Sequence, residues 1–167
     1  MRFSTKTFWM KAVVAVGVVV SLGYSFQSRF HIGVDTQETL SMGKRIFVID
    51  LKDHQLQKGD VYVFRTVGAE PVYKDGTELV KRMVAMPGDT VEITDTFDIL
   101  VNGESVAKGL WHLREAEQNL VLERFTGKRI LKENQFWMCG ESFKSFDSRY
   151  FGTISAEQIK GKAYAIF

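Results

Sequence analysis

The chain has 167 residues, room for one apolar membrane segment and one compact domain but hardly for two full domains plus an anchor. Lys and Arg total 22 against 20 acidic residues, and a net charge of +2 supplies no strong field for capturing nucleic acid, so no nucleic-acid partner is expected. Cys139 is the sole cysteine, which excludes an internal disulfide, and His31, His54 and His112 are too scattered for a zinc site, so neither metal nor other cofactor is expected.

In chain order, Arg2, Lys6 and Lys11 come first, followed by the uncharged, Ala- and Val-rich run Ala12–Phe26. Phe8-Trp9-Met10 extends that run while Lys11 snorkels. Ala12–Phe26 alone is short for a span of about 20 residues. A cleaved signal peptide is the competing reading, but Ser21-Leu22-Gly23-Tyr24-Ser25-Phe26 offers no clean small-x-small site. The segment is therefore read as an uncleaved single-pass anchor. The basic residues before it put the N-terminus in the cytoplasm and the rest outside, which in a bacterial inner membrane means the periplasm. Residues 1–29 are then tail and anchor, and residues 30–167 form the body outside the membrane.

Beyond the anchor, short β-like runs separated by turns replace helical periodicity, so the body is expected to be mostly β. Candidate strands are Arg45–Ile49, Asp60–Arg65, Glu78–Ala85, Thr90–Ile93, Ile99–Val101, Gln135–Cys139 and Gly161–Phe167. Turns fall at Lys58-Gly59-Asp60, Pro87-Gly88-Asp89 and Asn102-Gly103. Leu110–Leu122 has a mixed apolar stripe and is either helix or loop.

The most informative strand is Glu78–Ala85. Side chains alternate along a strand, so Leu79, Lys81, Met83 and Ala85 share one face and an ammonium sits among apolar neighbours. Burial there disfavours the charged form, lowers the pKa and lets a lysine act as a base near neutral pH. The bland alternative is a surface lysine whose stem covers apolar residues.

Val80-Lys81-Arg82 followed by Met86-Pro87-Gly88-Asp89 resembles the lysine box of the signal peptidase I superfamily (S26). Lys58-Gly59-Asp60-Val61-Tyr62-Val63-Phe64 is similar to that family's basic-Gly-Asp strand, and Val101-Asn102-Gly103 to its following hairpin. Gly140-Glu141 with Ser145-Phe146-Asp147-Ser148-Arg149-Tyr150-Phe151-Gly152 resembles its C-terminal box and looks closest to TraF-like conjugative-transfer peptidases, which mature a pilin and in some systems circularise it. The resemblance implies that residues 30–167 are a catalytic domain, a partly open barrel of two antiparallel sheets with a cap inserted at about 92–135, with a groove near the membrane and a membrane-inserted pilin precursor as substrate. It also implies a protease of the hydrolase class working beside other components of a type IV conjugative secretion apparatus.

The same resemblance leaves the nucleophile open. Thr39-Leu40, Gly43 and Phe47-Val48 match the family's spacing in a register that puts Asp35 at the serine position. Ser41-Met42 begins like the family motif in a second register, and the shorter TraF-like loop aligns its serine with Thr39. Asp35 with Lys81 is the favoured dyad, with Ser41 and Thr39 as alternatives and Ser145, Asp147 and Arg149 in support. Ser145 has a hydroxyl able to orient Lys81, and Asp147 is close enough to Arg149 to pair with it. The expected activity is acyl transfer that cleaves the pilin precursor and joins its ends. The rival readings are a catalytically silent pilin-binding assembly factor and a Ser41/Lys81 signal peptidase.

Orientation can be measured directly. A reporter active only in the periplasm, fused after Phe167, is expected to be active; activity solely of a cytoplasmic reporter would overturn the N-in reading.

Overall fold

The computed structural model describes residues 5–36, 39–109, 111 and 127–166. Helix α1 covers Thr5–Gln27, 23 residues, none of them buried in the protein. At 1.5 Å per residue it is about 35 Å long, sufficient for a hydrocarbon core of about 30 Å. Its length and composition suit a membrane crossing. It begins earlier than Ala12 because Phe8, Trp9 and Met10 continue the apolar surface past Lys11.

The body is built of strands. β1 (Phe30–Val34), β2 (Ile46–Asp50), β3 (Val61–Arg65), β4 (Glu78–Ala85), β9 (Trp137–Cys139) and β10 (Ile159–Ala165) form a six-stranded sheet in the order β1-β2-β10-β3-β4-β9. β5 (Thr90–Ile93), β6 (Asp98–Val101), β7 (Glu104–Lys108) and β8 (Gly127–Ile130) form a four-stranded sheet in the order β7-β6-β5-β8. All these pairings are antiparallel. A short helix α2 (Ser148–Phe151) and a 3₁₀ turn at Ala156–Gln158 precede β10. The mostly β body of two antiparallel sheets behind one apolar helix is the fold class that the sequence indicated.

The differences are local. β1 and β7 escaped the sequence reading because their outward positions carry apolar side chains, Ile32, Val34 and Val106, which spoils the alternation of buried apolar and exposed polar residues. β8 is Gly-Lys-Arg-Ile, too polar to read as a strand. The proposed helix or loop at Leu110–Leu122 lies outside the described residues apart from Trp111, as does part of the expected cap.

Three apolar clusters fill the body. Tyr62, Phe64, Leu79, Met83, Met138, Phe146, Tyr150 and Phe151 pack around one face of β3 and β4. Val91, Ile93, Ile99, Val101, Leu131 and Trp137 join the small sheet to β9. Met42, Phe47, Ile49, Val63 and Ala163 form the third, beneath the β1–β2 loop. Burying such side chains contributes roughly 1.5–3 kcal/mol each.

One buried ion pair ties distant segments together. Asp147 and Arg149 are both fully buried, and the Asp147 carboxylate accepts from Arg149 Nε (2.8 Å), Arg149 Nη2 (2.8 Å), the Arg149 amide (3.2 Å) and the Gly140 amide (2.8 Å). The guanidinium also donates to the carbonyls of Lys108 (2.8 Å), Ser142 (3.2 Å) and Ser145 (3.0 Å). The end of β7, the turn after β9 and α2 therefore meet on one side chain. A planar fork with five donors suits this role, whereas lysine does not.

Removing one member leaves the other charge buried without its partner. Arg149→Met is expected to lower folding stability by about 3–5 kcal/mol, read from chemical denaturation in detergent; a loss below about 1 kcal/mol would contradict the hub role.

Candidate active site

Strand β4 alternates in burial from Glu78 to Ala85, with Leu79, Lys81, Met83 and Ala85 inward. Lys81 is 2 % exposed and lies opposite Tyr62 of β3. Its Nζ donates to Ser41 Oγ at 2.7 Å, a buried contact between residues forty apart in the chain. Desolvation pushes the Lys81 pKa down from the usual 10.5 to about 8, while the charges of Asp147 and Asp35 oppose that fall.

Ser41 is held by its neighbours. Met42 is buried in the third apolar cluster, which clamps the loop from below. The Ser41 carbonyl accepts from the amides of Glu141 (2.7 Å) and Ser142 (3.2 Å). Gly140 permits this approach: a Cβ there would lie 2.1 Å from Ser145 Oγ and 2.8 Å from the Ser41 carbonyl oxygen. Any larger residue would force the two segments apart. Glu141 is in turn ion-paired with Arg82, the residue after Lys81.

The β1–β2 loop is closed at its base by Asp35. Its amide donates to the Arg45 carbonyl (2.8 Å), and Arg45 Nη1 donates to its carbonyl (3.1 Å), one pair beyond the last strand register of Val34 with Ile46. The Asp35 carboxylate accepts a long hydrogen bond from the Ser41 amide, 3.4 Å. Among the described residues, the hydrogen bond that Lys81 Nζ donates goes to Ser41 and not to Asp35. Thr39 is exposed in the loop. Ser145 Oγ is buried without a hydrogen-bond partner, so the contact with Lys81 falls to Ser41. Asp147 and Arg149 pair as the sequence suggested, and they brace the turn rather than the ammonium.

A cavity of about 340 Å³ opens beside this pair, lined by Val34, Asp35, Ser41, Phe47, Ile49, Val63, Leu79 and Lys81 among others. Its walls are mainly apolar. The ends of β1 and β4 flank it, so an extended peptide could lie between two strands and present its backbone to the serine. Chemically, a hydroxyl in contact with a desolvated amine can be deprotonated and attack a carbonyl. Met42 and Gly140 were the positioning residues that sequence reasoning left without a role. The signal for Met42 was its place after Ser41, and the signal for Gly140 was its place at the head of the C-terminal motif.

Comparison with known proteins gives the family. The family described as signal peptidase, peptidase S26, matches residues 5–167. Signal peptidase I of Bacillus licheniformis is 26 % identical over an alignment that covers 95 % of this chain and 87 % of that protein. Signal peptidase I of Bacillus caldolyticus is 31 % identical, covering 89 % and 84 %. The crystal structure of a signal peptidase I from Enterococcus faecalis has a TM-score of 0.43 at 24 % identity, covering 65 % of this chain and 96 % of that one.

The Lys81 environment has a thermodynamic signature. Its folded pKa is below its unfolded one, so the unfolded chain holds the proton more tightly between pH about 8 and 10.5, and stability rises with pH across that window. Below about pH 8 the whole penalty is present, about 3 kcal/mol for a shift of this size. Lys81→Met is expected to be more stable than the native protein at pH 7 by an amount of that order, with the gap closing toward pH 10.5. Denaturant titrations at pH 7 and 10 check this, and a gap independent of pH would overturn it.

Proposed function

The chain belongs to the signal peptidase family, peptidase S26, and from that premise we propose that it cleaves membrane-held precursors by attack of Ser41 with Lys81 as the base. The observation that carries this reading is the buried 2.7 Å contact from Lys81 Nζ to Ser41 Oγ. The neutral amine takes the hydroxyl proton as Oγ adds to the scissile carbonyl, and the resulting ammonium then protonates the leaving amine. The acyl group left on Ser41 passes to water, or to an amine held in its place. The Ser41 amide donates to the oxyanion, so the Asp35 carboxylate that accepts from this amide at rest must give way to substrate.

In this reading Ser41 replaces Asp35 as the nucleophile. Asp35 closes the loop and adds a negative charge near Lys81, whose proton is directed at Ser41 instead. Asp147 and Arg149 are positioning groups, and Ser145 contributes its carbonyl to the Arg149 guanidinium. The substrate proposed is a conjugative pilin precursor, with head-to-tail joining when the acceptor is the pilin's own amine. The run Ser145–Gly152 and its likeness to the TraF-like branch support that choice. The enzyme sits in the inner membrane through α1 with residues 30–167 in the periplasm, a reading supported by Arg2, Lys6 and Lys11 toward the N-terminal end of the apolar segment. A silent holding protein is disfavoured on energetic grounds, because a desolvated lysine lowers stability and simple holding does not use it.

The test is processing of co-expressed pilin precursor, followed by intact mass. Ser41→Ala and Lys81→Ala are each expected to reduce processing by at least about 10³-fold, while Asp35→Asn and Thr39→Ala retain it. A mature product one water lighter than its linear form is the expected mark of cyclisation, and the linear mass would restrict the activity to hydrolysis. Normal processing by Ser41→Ala together with an inactive Asp35→Asn would restore Asp35 as nucleophile.

A further inference from the structure

Two residues beyond α1, one side chain joins the anchor to the sheet. Arg29 Nε donates to both carboxylate oxygens of Asp50 (3.1 and 3.0 Å), and its Nη2 donates to Oδ2 at 2.7 Å. Asp50 is the last residue of β2 and is 4 % exposed, although it carries a charge. The rest of its surroundings hold it still. Oδ1 also accepts from the Lys52 amide (2.9 Å), and the Leu51 amide donates to the Arg29 carbonyl (2.8 Å). Gly161 of β10 lets the Asp50 backbone approach so closely that a Cβ there would fall 2.3 Å from the Asp50 carbonyl oxygen. Lys162, opposite Asp50 in β10, is engaged by Asp60 at 2.6 Å, so the cation that serves the Asp50 carboxylate is Arg29.

The other side of the joint carries aromatic side chains. Phe8 and Trp9 meet edge to face near one end of α1, and Phe26 packs on Phe30 just past the other, with the Arg29 guanidinium 5.0 Å from the Phe30 ring centre. Phe8 and Phe26 are about 27 Å apart along a helix, close to the thickness of a hydrocarbon core, and aromatic side chains favour its two boundaries. Arg29 then stands at the headgroup level. From there β1 runs straight to the cleft: its five residues span about 17 Å and end at Val34, on the cavity wall.

We propose that Arg29 is a positioning residue, which by its fork on Asp50 fixes the height and direction of the Ser41–Lys81 cleft over the bilayer and so presents it to scissile bonds held at the membrane surface. This rests on α1 crossing the membrane and on the peptidase reading above. A ball-joint at Ser28 would leave the cleft intact but free to swing, and a displacement of a few ångströms at a reacting centre is costly in rate. The clamp thus matters for a substrate tethered in the same bilayer and not for one that diffuses in freely.

The experiment compares two probes on the full-length protein in vesicles of phosphatidylethanolamine and phosphatidylglycerol. One is a soluble, internally quenched peptide with an Ala-x-Ala segment; the other carries the same segment directly after a Leu/Ala transmembrane helix in the same vesicles. Arg29→Ala is expected to cleave the soluble peptide within about twofold of the native rate and the tethered one about tenfold more slowly, with Arg29→Lys between the two. Three glycines inserted between Gln27 and Ser28 keep the fork but free the helix, and should reproduce the selective loss with an unchanged unfolding temperature of the body. Parallel loss on both probes in Arg29→Ala and in the insertion, or undiminished cleavage of the tethered probe by either, would overturn the proposal. Failure of the native protein on both probes would instead overturn the peptidase reading, and the clamp with it.

Discussion

A lysine ammonium on the apolar face of a central strand is the constraint around which this body is organised. β4 can bury Lys81 only if something meets its proton, and the Ser41 hydroxyl does so at 2.7 Å. Burial and partner act in opposite directions on the charge. Removal from water lowers the pKa, while the fields of Asp147 and Asp35 limit the drop, and the balance leaves the amine titrating near pH 8. A lysine wholly unaccompanied would be neutral at far lower pH and a weak base; one in solvent would stay charged.

Keeping Ser41 on that amine requires three segments to meet that are far apart in sequence. The β1–β2 loop brings the serine, β4 the lysine and the turn after β9 the backbone amides that hold the Ser41 carbonyl. Arg149 organises the third segment through Asp147 and a set of carbonyls, and Gly140 lets it close on the first. The ion pair is thus less a source of stability than a means of making one arrangement of loops the only satisfied one. Its members are fully desolvated, and such pairs are weak stabilisers but exacting about geometry.

The alternation of β4 was legible in the sequence to the residue, because a period of two with a single polar side chain on the apolar face is the mark of a strand that buries that face. Strands β5 and β10 and the turns between strands were readable for the same local reasons. The hydroxyl that meets Lys81 was legible only as an alternative, Ser41, beside the favoured Asp35. A register counted along the loop favoured Asp35, but loop residues are not evenly spaced in three dimensions. Asp35 closes the base of the loop against Arg45, and burial of Met42 carries Ser41 to the lysine. Apolar burial just after a hydroxyl was the better guide to that contact than motif spacing. Ser145 illustrates the converse: its hydroxyl is near the site but makes no hydrogen bond, and chain proximity alone could not reveal that.

Strand β1 has a consequence of its own. It lies at the edge of the large sheet and exposes Ile32 and Val34, a pattern that invites edge-to-edge pairing with other chains and hence aggregation. Soluble proteins usually blunt such an edge with charge, proline or a bulge, and β1 has none of these. Its protection is geographical where α1 crosses a membrane: the strand follows the helix directly, so encounters are confined to a thin layer at the bilayer. Cutting away α1 to obtain a soluble body would remove that confinement, and the freed body would be prone to associate through the very strand that borders the cleft.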